Sequence, residues 1–294
     1  MRRALKAVVQ LLWPLTWPVR WYWAHSDRQL GKKLVVDRIL KRVVPPPPAG
    51  FEAELPGGGR VFLHHRDDIG LVVLMTGSFE QAEIDVARSS SRAATTAVDV
   101  GANVGIFTVP LALAVGPRGR VLAVEPSPES VAQLEHNIRL NELTNVDVHP
   151  IALAAEPGDV TLQLGADPAF HSTSTVVRSR DTAATTSVRA DTLDRLWRDA
   201  GSPDVSFLKI DTEGAELDVL RGARELLETC RMPILLEAKE SRRVQALDGL
   251  LVPLRYSRTR PRGFAVGNYL YIPQAQESNP SIAAATRRGS VARL

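Results

Sequence analysis

Along most of this chain, short apolar runs alternate with longer segments whose apolar residues recur every three or four positions. That is the pattern of an α/β sheet covered by helices. Residues 97–100, 121–124, 146–152, 205–210, 233–236 and 269–272 read as strands, and 160–164 as a short extra one. Residues 128–140 place Val131, Leu134 and Ile138 at helical spacing, and Thr192-Leu193-Asp194-Arg195-Leu196 opens another helix. The run from Ile106 through Val109, Leu111, Leu113 and Ala114 predicts a packed helix that tolerates Pro110 in its first turn. Residues 165–190 hold few apolar runs and read as an exposed loop, either a cover over an acceptor pocket or plain surface disorder, with His171 its one candidate base.

Upstream the pattern changes. Residues 51–55 and 60–64 flank Pro56-Gly57-Gly58-Gly59, which predicts a hairpin. His64 and His65 are neighbours on a strand, so they face opposite ways and do not make one metal site. Residues 27–44 read as an amphipathic helix with Leu30, Leu34, Val35, Ile39 and Leu40 on one side. Pro45 to Pro48 end it and stiffen the chain, the clearest boundary in the sequence. The expected organisation is a helical arm over 1–44, a Pro-rich linker over 45–50, the α/β domain over 51–273, and a disordered tail over 274–294.

Charge sharpens this division. The chain of 294 residues carries a formal charge of +3. Residues 1–45 alone hold +8 and residues 276–294 hold +2, which leaves −7 on the stretch between. An acidic middle argues against a nucleic-acid partner, whereas a basic arm suits an anionic surface. Trp13, Trp17, Trp21 and Trp23 follow Arg2, Arg3 and Lys6 in that arm. Gln10, Pro14 and Pro18 interrupt it too often for a membrane span, and Ala24-His25-Ser26 is a weak cleavage site. Two readings remain: the rings lie at the cytoplasmic face of an anionic membrane, or they pack on the α/β domain or between the subunits of a homodimer. The single Cys230 excludes an intramolecular disulfide and suits a reducing, cytoplasmic compartment.

The candidate chemistry lies at the strand ends. Ala97-Val98-Asp99-Val100-Gly101-Ala102-Asn103-Val104-Gly105 runs from a strand into a glycine-bracketed turn and then into a helix start, where free N–H groups favour an anionic group. A dinucleotide fingerprint requires Gly-x-Gly-x-x-Gly, and this turn has Gly-x-x-x-Gly. Glu125 ends the next strand, placed to bind a ribose diol. Asp99, the turn and Glu125 together fit a nucleoside with an amino-acid tail, S-adenosylmethionine. Asp211-Thr212-Glu213-Gly214 ends a later strand, and Asp211 and Glu213 are the candidates for a base or an acceptor clamp. Acids at a helix start are also favoured with no catalysis implied. No set of metal ligands has diagnostic spacing, although Asp211 and Glu237 are acids that magnesium accepts.

Four blocks, Gly77-Ser78-Phe79-Glu80, Val98 to Gly105, Val124-Glu125-Pro126 and Leu208-Lys209-Ile210-Asp211-Thr212-Glu213-Gly214-Ala215-Glu216, resemble the FkbM family of S-adenosylmethionine-dependent methyltransferases. The resemblance spans roughly residues 77 to 237. It implies a class I methyltransferase domain with a Rossmann-like seven-stranded sheet in the order 3-2-1-4-5-7-6. It also implies cofactor contacts at Asp99, Gly101, Ala102, Asn103, Gly105, Glu125 and Pro126, and methyl transfer to oxygen on a sugar, glycolipid or secondary metabolite. The acceptor is then a small molecule or glycan. The alternatives are a nucleic-acid methyltransferase, against which the absence of an Asn/Asp-Pro-Pro-aromatic turn counts, and a membrane-bound adaptor that keeps the fold without turnover.

Overall fold

A computed structural model of the 294-residue chain describes residues 50–55, 57–64, 68–163, 175–177 and 185–276. The arm, almost all of the linker, most of the tail and His171 lie outside the described residues. The described part opens with β1 (Phe51–Glu54) and β2 (Arg60–Leu63), an antiparallel hairpin around the glycine-rich turn, as the sequence predicts. Two helices follow, α1 (Asp68–Thr76) and α2 (Gln81–Ser90).

The core begins at β3 (Thr96–Val100), α3 (Thr108–Val115), β4 (Arg120–Val124), α4 (Pro128–Leu140) and β5 (Val146–His149). Small strands β6 (Ala152–Leu153), β7 (Gly158–Gln163), β8 (Thr175–Val177) and β9 (Thr185–Asp191) come next, and α5 (Leu193–Asp199) leads back into the main sheet. That sheet continues through β10 (Val205–Ile210), α6 (Glu216–Arg221), α7 (Arg224–Cys230), β11 (Ile234–Glu237), α8 (Ser241–Leu251), β12 (Tyr256–Thr259) and β13 (Asn268–Pro273). Ser127 and Thr192 start α4 and α5 because their side-chain oxygens accept from the third residue on, Ser130 N–H and Arg195 N–H.

The seven-stranded sheet has the order β5-β4-β3-β10-β11-β13-β12. Its first five strands are parallel, and β13 runs antiparallel to both neighbours. Counting only these seven strands along the chain, the order is 3-2-1-4-5-7-6, the expected one. Strands buried on both faces need not alternate, which is why β3, β4 and β10 read as nearly unbroken apolar runs. Alternate residues nevertheless feed two cores. Ala97, Val121, Ala123 and Phe207 meet residues of α2, α3 and α4 on one side. Val98, Val100, Leu122, Val124, Leu208 and Ile210 meet residues of α5 to α8 on the other. Asp99 and Lys209 fall on the first face, directly opposite one another in the β3–β10 register.

Two expectations are corrected. The strand expected over 146–152 stops at His149, because Pro150 cannot donate to the ladder; Ala152 and Leu153 instead join a second sheet of order β6-β9-β7-β8. The expected loop over 165–190 contains β8 and β9, and β9 is an inner strand of that sheet. Thr185-Thr186-Ser187-Val188-Arg189-Ala190-Asp191 has two apolar residues, so its periodicity is too weak to read.

Candidate active site

In an open parallel sheet, ligands bind beyond the carboxyl ends of the strands where the winding direction reverses. Here that point lies between β3 and β10, since the chain leaves β3 toward β4 and β5 and returns to β10 on the other side. The turn after β3 and the turn after β10 therefore meet there.

The first turn is shaped by close approach. Gly101 has φ +77°, and a Cβ there would collide with the carbonyl oxygen of Asp211. Gly105 has φ +94°, and its Cβ would lie 2.9 Å from Leu134 Cδ1. Gly101 N–H and Ala102 N–H both donate to Val124 O, which folds the turn back over the end of β4. Asn103, at φ 48°, donates its N–H to Glu125 Oε2 at 2.9 Å, while its own Oδ1 is buried with no hydrogen-bond partner. Glu125 Oε1 accepts from Ser127 N–H at 2.9 Å, so one carboxylate joins the glycine turn to the start of α4. Burial pushes this carboxyl up, and the two backbone N–H bonds oppose the shift. Half-buried Pro126 spans the two anchored residues.

The hairpin braces the same turn from outside. Asn137 on α4 accepts from Phe62 N–H at 2.7 Å and donates to Val104 O at 2.8 Å. Asn141 accepts from Arg60 N–H at 2.7 Å.

Asp99 is placed differently from the other predicted cofactor residues. It is 0 % exposed, beneath the turn, where Oδ2 accepts from Thr108 Oγ1 at 2.6 Å and Oδ1 lies 3.4 Å from Lys209 Nζ. Its carboxylate supports the turn from below.

The second turn carries the charge. Asp211 N–H donates to Val100 O at 3.0 Å, which fixes its backbone against β3, and its side chain is 34 % exposed. Glu213, at φ 51°, turns outward and pairs with Lys239 Nζ at 3.2 Å. Glu216, buried at the start of α6, holds the turn from within: its Oε1 accepts from Thr212 N–H, Thr212 Oγ1 and Gly214 N–H. The last acid of the longest resemblance block is thus a structural cap.

The structure brings in Glu237, which the sequence names only as an acid that magnesium accepts, and Glu80, to which it assigns no role. Glu237, at the end of β11, brings a carboxylate oxygen within 4.8 Å of those of Asp211 and Glu213. Burial and then the Asp211 carboxylate push Glu237 up to about 8, although Lys239 Nζ lies 3.1 Å away and opposes the shift. Glu80 enters from the N-terminus of α2 with a left-handed backbone, φ 43°. Asn268 Nδ2 donates to both Glu80 Oε1 and Glu83 Oε1 at 3.1 Å. Burial and then the neighbouring Glu83 and Asp211 carboxyls raise Glu80. Three of the non-glycine residues with positive φ, Glu80, Asn103 and Glu213, thus border one site, where strain of this kind collects. The sequence signal for Glu80 is its place at the end of the Gly77 block; for Glu237 it is the strand end. The sequence shows no ligand set of diagnostic spacing and names Asp211 and Glu237 only as acids that magnesium accepts; the structure groups Glu213 with them, and the three have the donor set of a divalent-cation site, with Lys239 already supplying a positive charge to two of them.

The residues fit S-adenosylmethionine on three counts. The Asn103 Oδ1 acceptor is unmet, Glu125 just past β4 has carboxylate lone pairs to spare, and the site lies at the switch point. Sheet order and site together define a class I methyltransferase fold. A family model described as the methyltransferase FkbM domain matches residues 99–255, just over half of the chain, and the chain belongs to that family. "Methyltransferase 1" of Beauveria bassiana (strain ARSEF 2860) is 31 % identical over 144 residues, covering 42 % of this chain and 57 % of that protein. "Methyltransferase sdnD" of Sordaria araneosa is 32 % identical over 158 residues, covering 44 % and 60 %. The chain thus spans less than two thirds of the length of these relatives. The crystal structure of an FkbM methyltransferase from Methylobacillus flagellatus KT aligns with TM-score 0.45 and 21 % identity, over 62 % of this chain and 43 % of that one. Among the described residues no helix is long and apolar enough to cross a membrane.

Proposed function

We propose that this protein transfers a methyl group from S-adenosylmethionine to a hydroxyl oxygen on a sugar, glycolipid or secondary metabolite. The observation that carries this reading is the meeting of the Gly101–Gly105 turn with the carboxylates of Asp211, Glu213 and Glu237 at one switch point. Bound there, the cofactor supplies an electrophilic methyl group on a sulfonium. Glu125 would hold the ribose diol, and the turn would hold the amino-acid tail. An alcohol must lose its proton as the new bond forms, and Asp211, whose turn packs against Gly101, and Glu237 beside it are the carboxyls we assign to take it. Glu237, pushed up to about 8, is matched to that task near neutral pH. Glu213, turned toward solvent and tied to Lys239, suits orientation of a polar acceptor. So many acids at the mouth disfavour a nucleic-acid backbone as acceptor.

The test is an acceptor screen with labelled S-adenosylmethionine against glycosides, glycolipids and RNA. Label on a hydroxyl-bearing small molecule or glycan is the expected result. Label on RNA alone would replace the reading with its nucleic-acid rival, and no cofactor binding by calorimetry would remove it.

A further inference from the structure

The least expected group in the core is Lys209. It interrupts an apolar strand that is buried along its whole length, and it is itself 4 % exposed. Its Nζ donates to Gly101 O at 2.8 Å and lies 3.4 Å from Asp99 Oδ1 and 3.6 Å from Asp211 Oδ2. The same ammonium stands 5.2 Å from the centre of the Phe107 ring, which closes the turn at the start of α3. Glu80 adds a further carboxyl within electrostatic reach. One cation thus engages the end of β3, the glycine turn, the start of α3, the end of β10 and the entry to α2.

Burial alone would strip the proton from such a lysine. The carboxylates of Asp99, Asp211 and Glu80 outweigh it and hold the group well above the ordinary lysine range. These neighbours favour the charged form, which does not suit a proton carrier. Nor is a buried ion pair a good way to stabilise a core, because well-packed apolar residues of similar volume often do as well or better. What an apolar side chain cannot do is hold the Gly101 carbonyl and the Asp211 carboxylate at the same time.

We propose that Lys209 is the positioning residue of the site: it sets the cofactor turn against the Asp211 turn, and Asp99 is its buried counterion. This rests on the reading of the Gly101–Gly105 turn as the cofactor site. A bond to the Gly101 carbonyl fixes which way that peptide faces, and hence which groups of the turn are presented to the cofactor. A 1 Å error in such a placement is costly even when the chemistry lies elsewhere.

The test removes both charges together, so that neither is left uncompensated in the core. Asp99→Asn keeps an acceptor for Thr108, and Lys209→Met keeps an unbranched apolar stem one atom shorter than the lysine. Asp99→Asn/Lys209→Met is compared with Asp99→Asn alone by melting temperature, S-adenosylmethionine calorimetry and amide hydrogen exchange. The expected result is a double variant that melts no lower than the single one. It should bind the cofactor at least tenfold more weakly and exchange at least tenfold faster over residues 101–107 and 211–214. Equal affinity and equal exchange would reduce Lys209 to a partner for Asp99 and overturn the proposal. So would a double variant that fails to fold, since the two charges would then stabilise the core rather than place the turn. If the unaltered protein binds no S-adenosylmethionine while exchange still rises in the double variant, the cofactor reading falls and the role of Lys209 in the turn stands.

Discussion

The turn after β3 and the turn after β10 lie side by side on neighbouring strands, and their polar groups are handled in contrasting ways. In the first, the glycine turn is folded by backbone hydrogen bonds to Val124 and locked by Glu125 through Asn103 and Ser127. In the second, Glu216 satisfies the backbone while Asp211 and Glu213 remain available at the surface beside Glu237. The first turn is thus shaped in advance by steric fit and backbone hydrogen bonds, with Asn103 Oδ1 the acceptor left over. The second holds like charges close together, with Lys209 and Lys239 offsetting part of the repulsion. A preformed turn suits a ligand that must be held the same way every time. A charged and half-exposed turn suits a step in which a proton must move.

If the division is real, substitutions in the two turns should fail in different ways. The largest effect is expected from Asp211→Asn, which should lower turnover by roughly 10²–10⁴-fold, the usual reach of acid–base catalysis, with cofactor affinity nearly unchanged. An equal loss in both quantities, seen by comparing calorimetry with initial rates, would place Asp211 in the cofactor half instead. Gly101→Ala should fail the opposite way. The added methyl meets the Asp211 backbone at a positive φ, so a loss of about 2–4 kcal/mol in stability and of measurable cofactor binding is expected. Denaturant unfolding checks the first part, and a variant as stable as the original would show that the two turns can slide apart.

Glu125→Ala should weaken S-adenosylmethionine binding by about 1–3 kcal/mol, the cost of leaving ribose hydroxyls and the Asn103 N–H unpaired. Unchanged affinity would remove the ribose assignment while sparing the turn. The smallest effect concerns pH. Glu237 holds its proton up to about 8 in the folded chain, above its ordinary value of 4.5, so its contribution to stability is complete below about 4.5 and lost as pH rises through about 8. Glu237→Gln should therefore raise the melting temperature at pH 8.5 by about 2–4 °C and leave it little changed at pH 4.5. No gain at pH 8.5, or a loss there, would mean that the carboxylate is ionised at no cost in the folded state. If Glu237 is the base we propose, the methyl-transfer rate of the unaltered protein should climb with pH toward about 8, and the Gln variant should lose that limb.

Much of this was legible in the chain. The strand over residues 205–210, the helix over 128–140 and the hairpin were read with their bounds or within a residue of them, because each has a clear period and a clear stop. Several helices were not. The run over 68–76 is almost uniformly apolar and has no period to read, whereas 81–90 and 241–251 do carry a helical period, with Ile84 and Ala87 in one and Val244, Leu247 and Leu251 in the other, that the sequence reading passes over. The strand over 256–259 holds Tyr256-Ser257-Arg258-Thr259, which becomes a strand through pairing with β13.

The site divides along the same line. The sequence by itself determined the glycine turn, Glu125 and the Asp211 turn, because those features are local: a backbone that needs glycine and an acid at the end of a readable strand leave marks within a few residues. The tertiary structure decided which acids share a site. Glu80 lies far from Asp211 in the chain and Glu237 one crossover beyond it, and parallel strands bring such ends together only once the sheet is assembled. The structure likewise decided the place of Asp99, which spacing sets beside the cofactor and the β3–β10 register sets under the turn against Lys209. Register is a relation between two strands, and no periodicity within either of them records it.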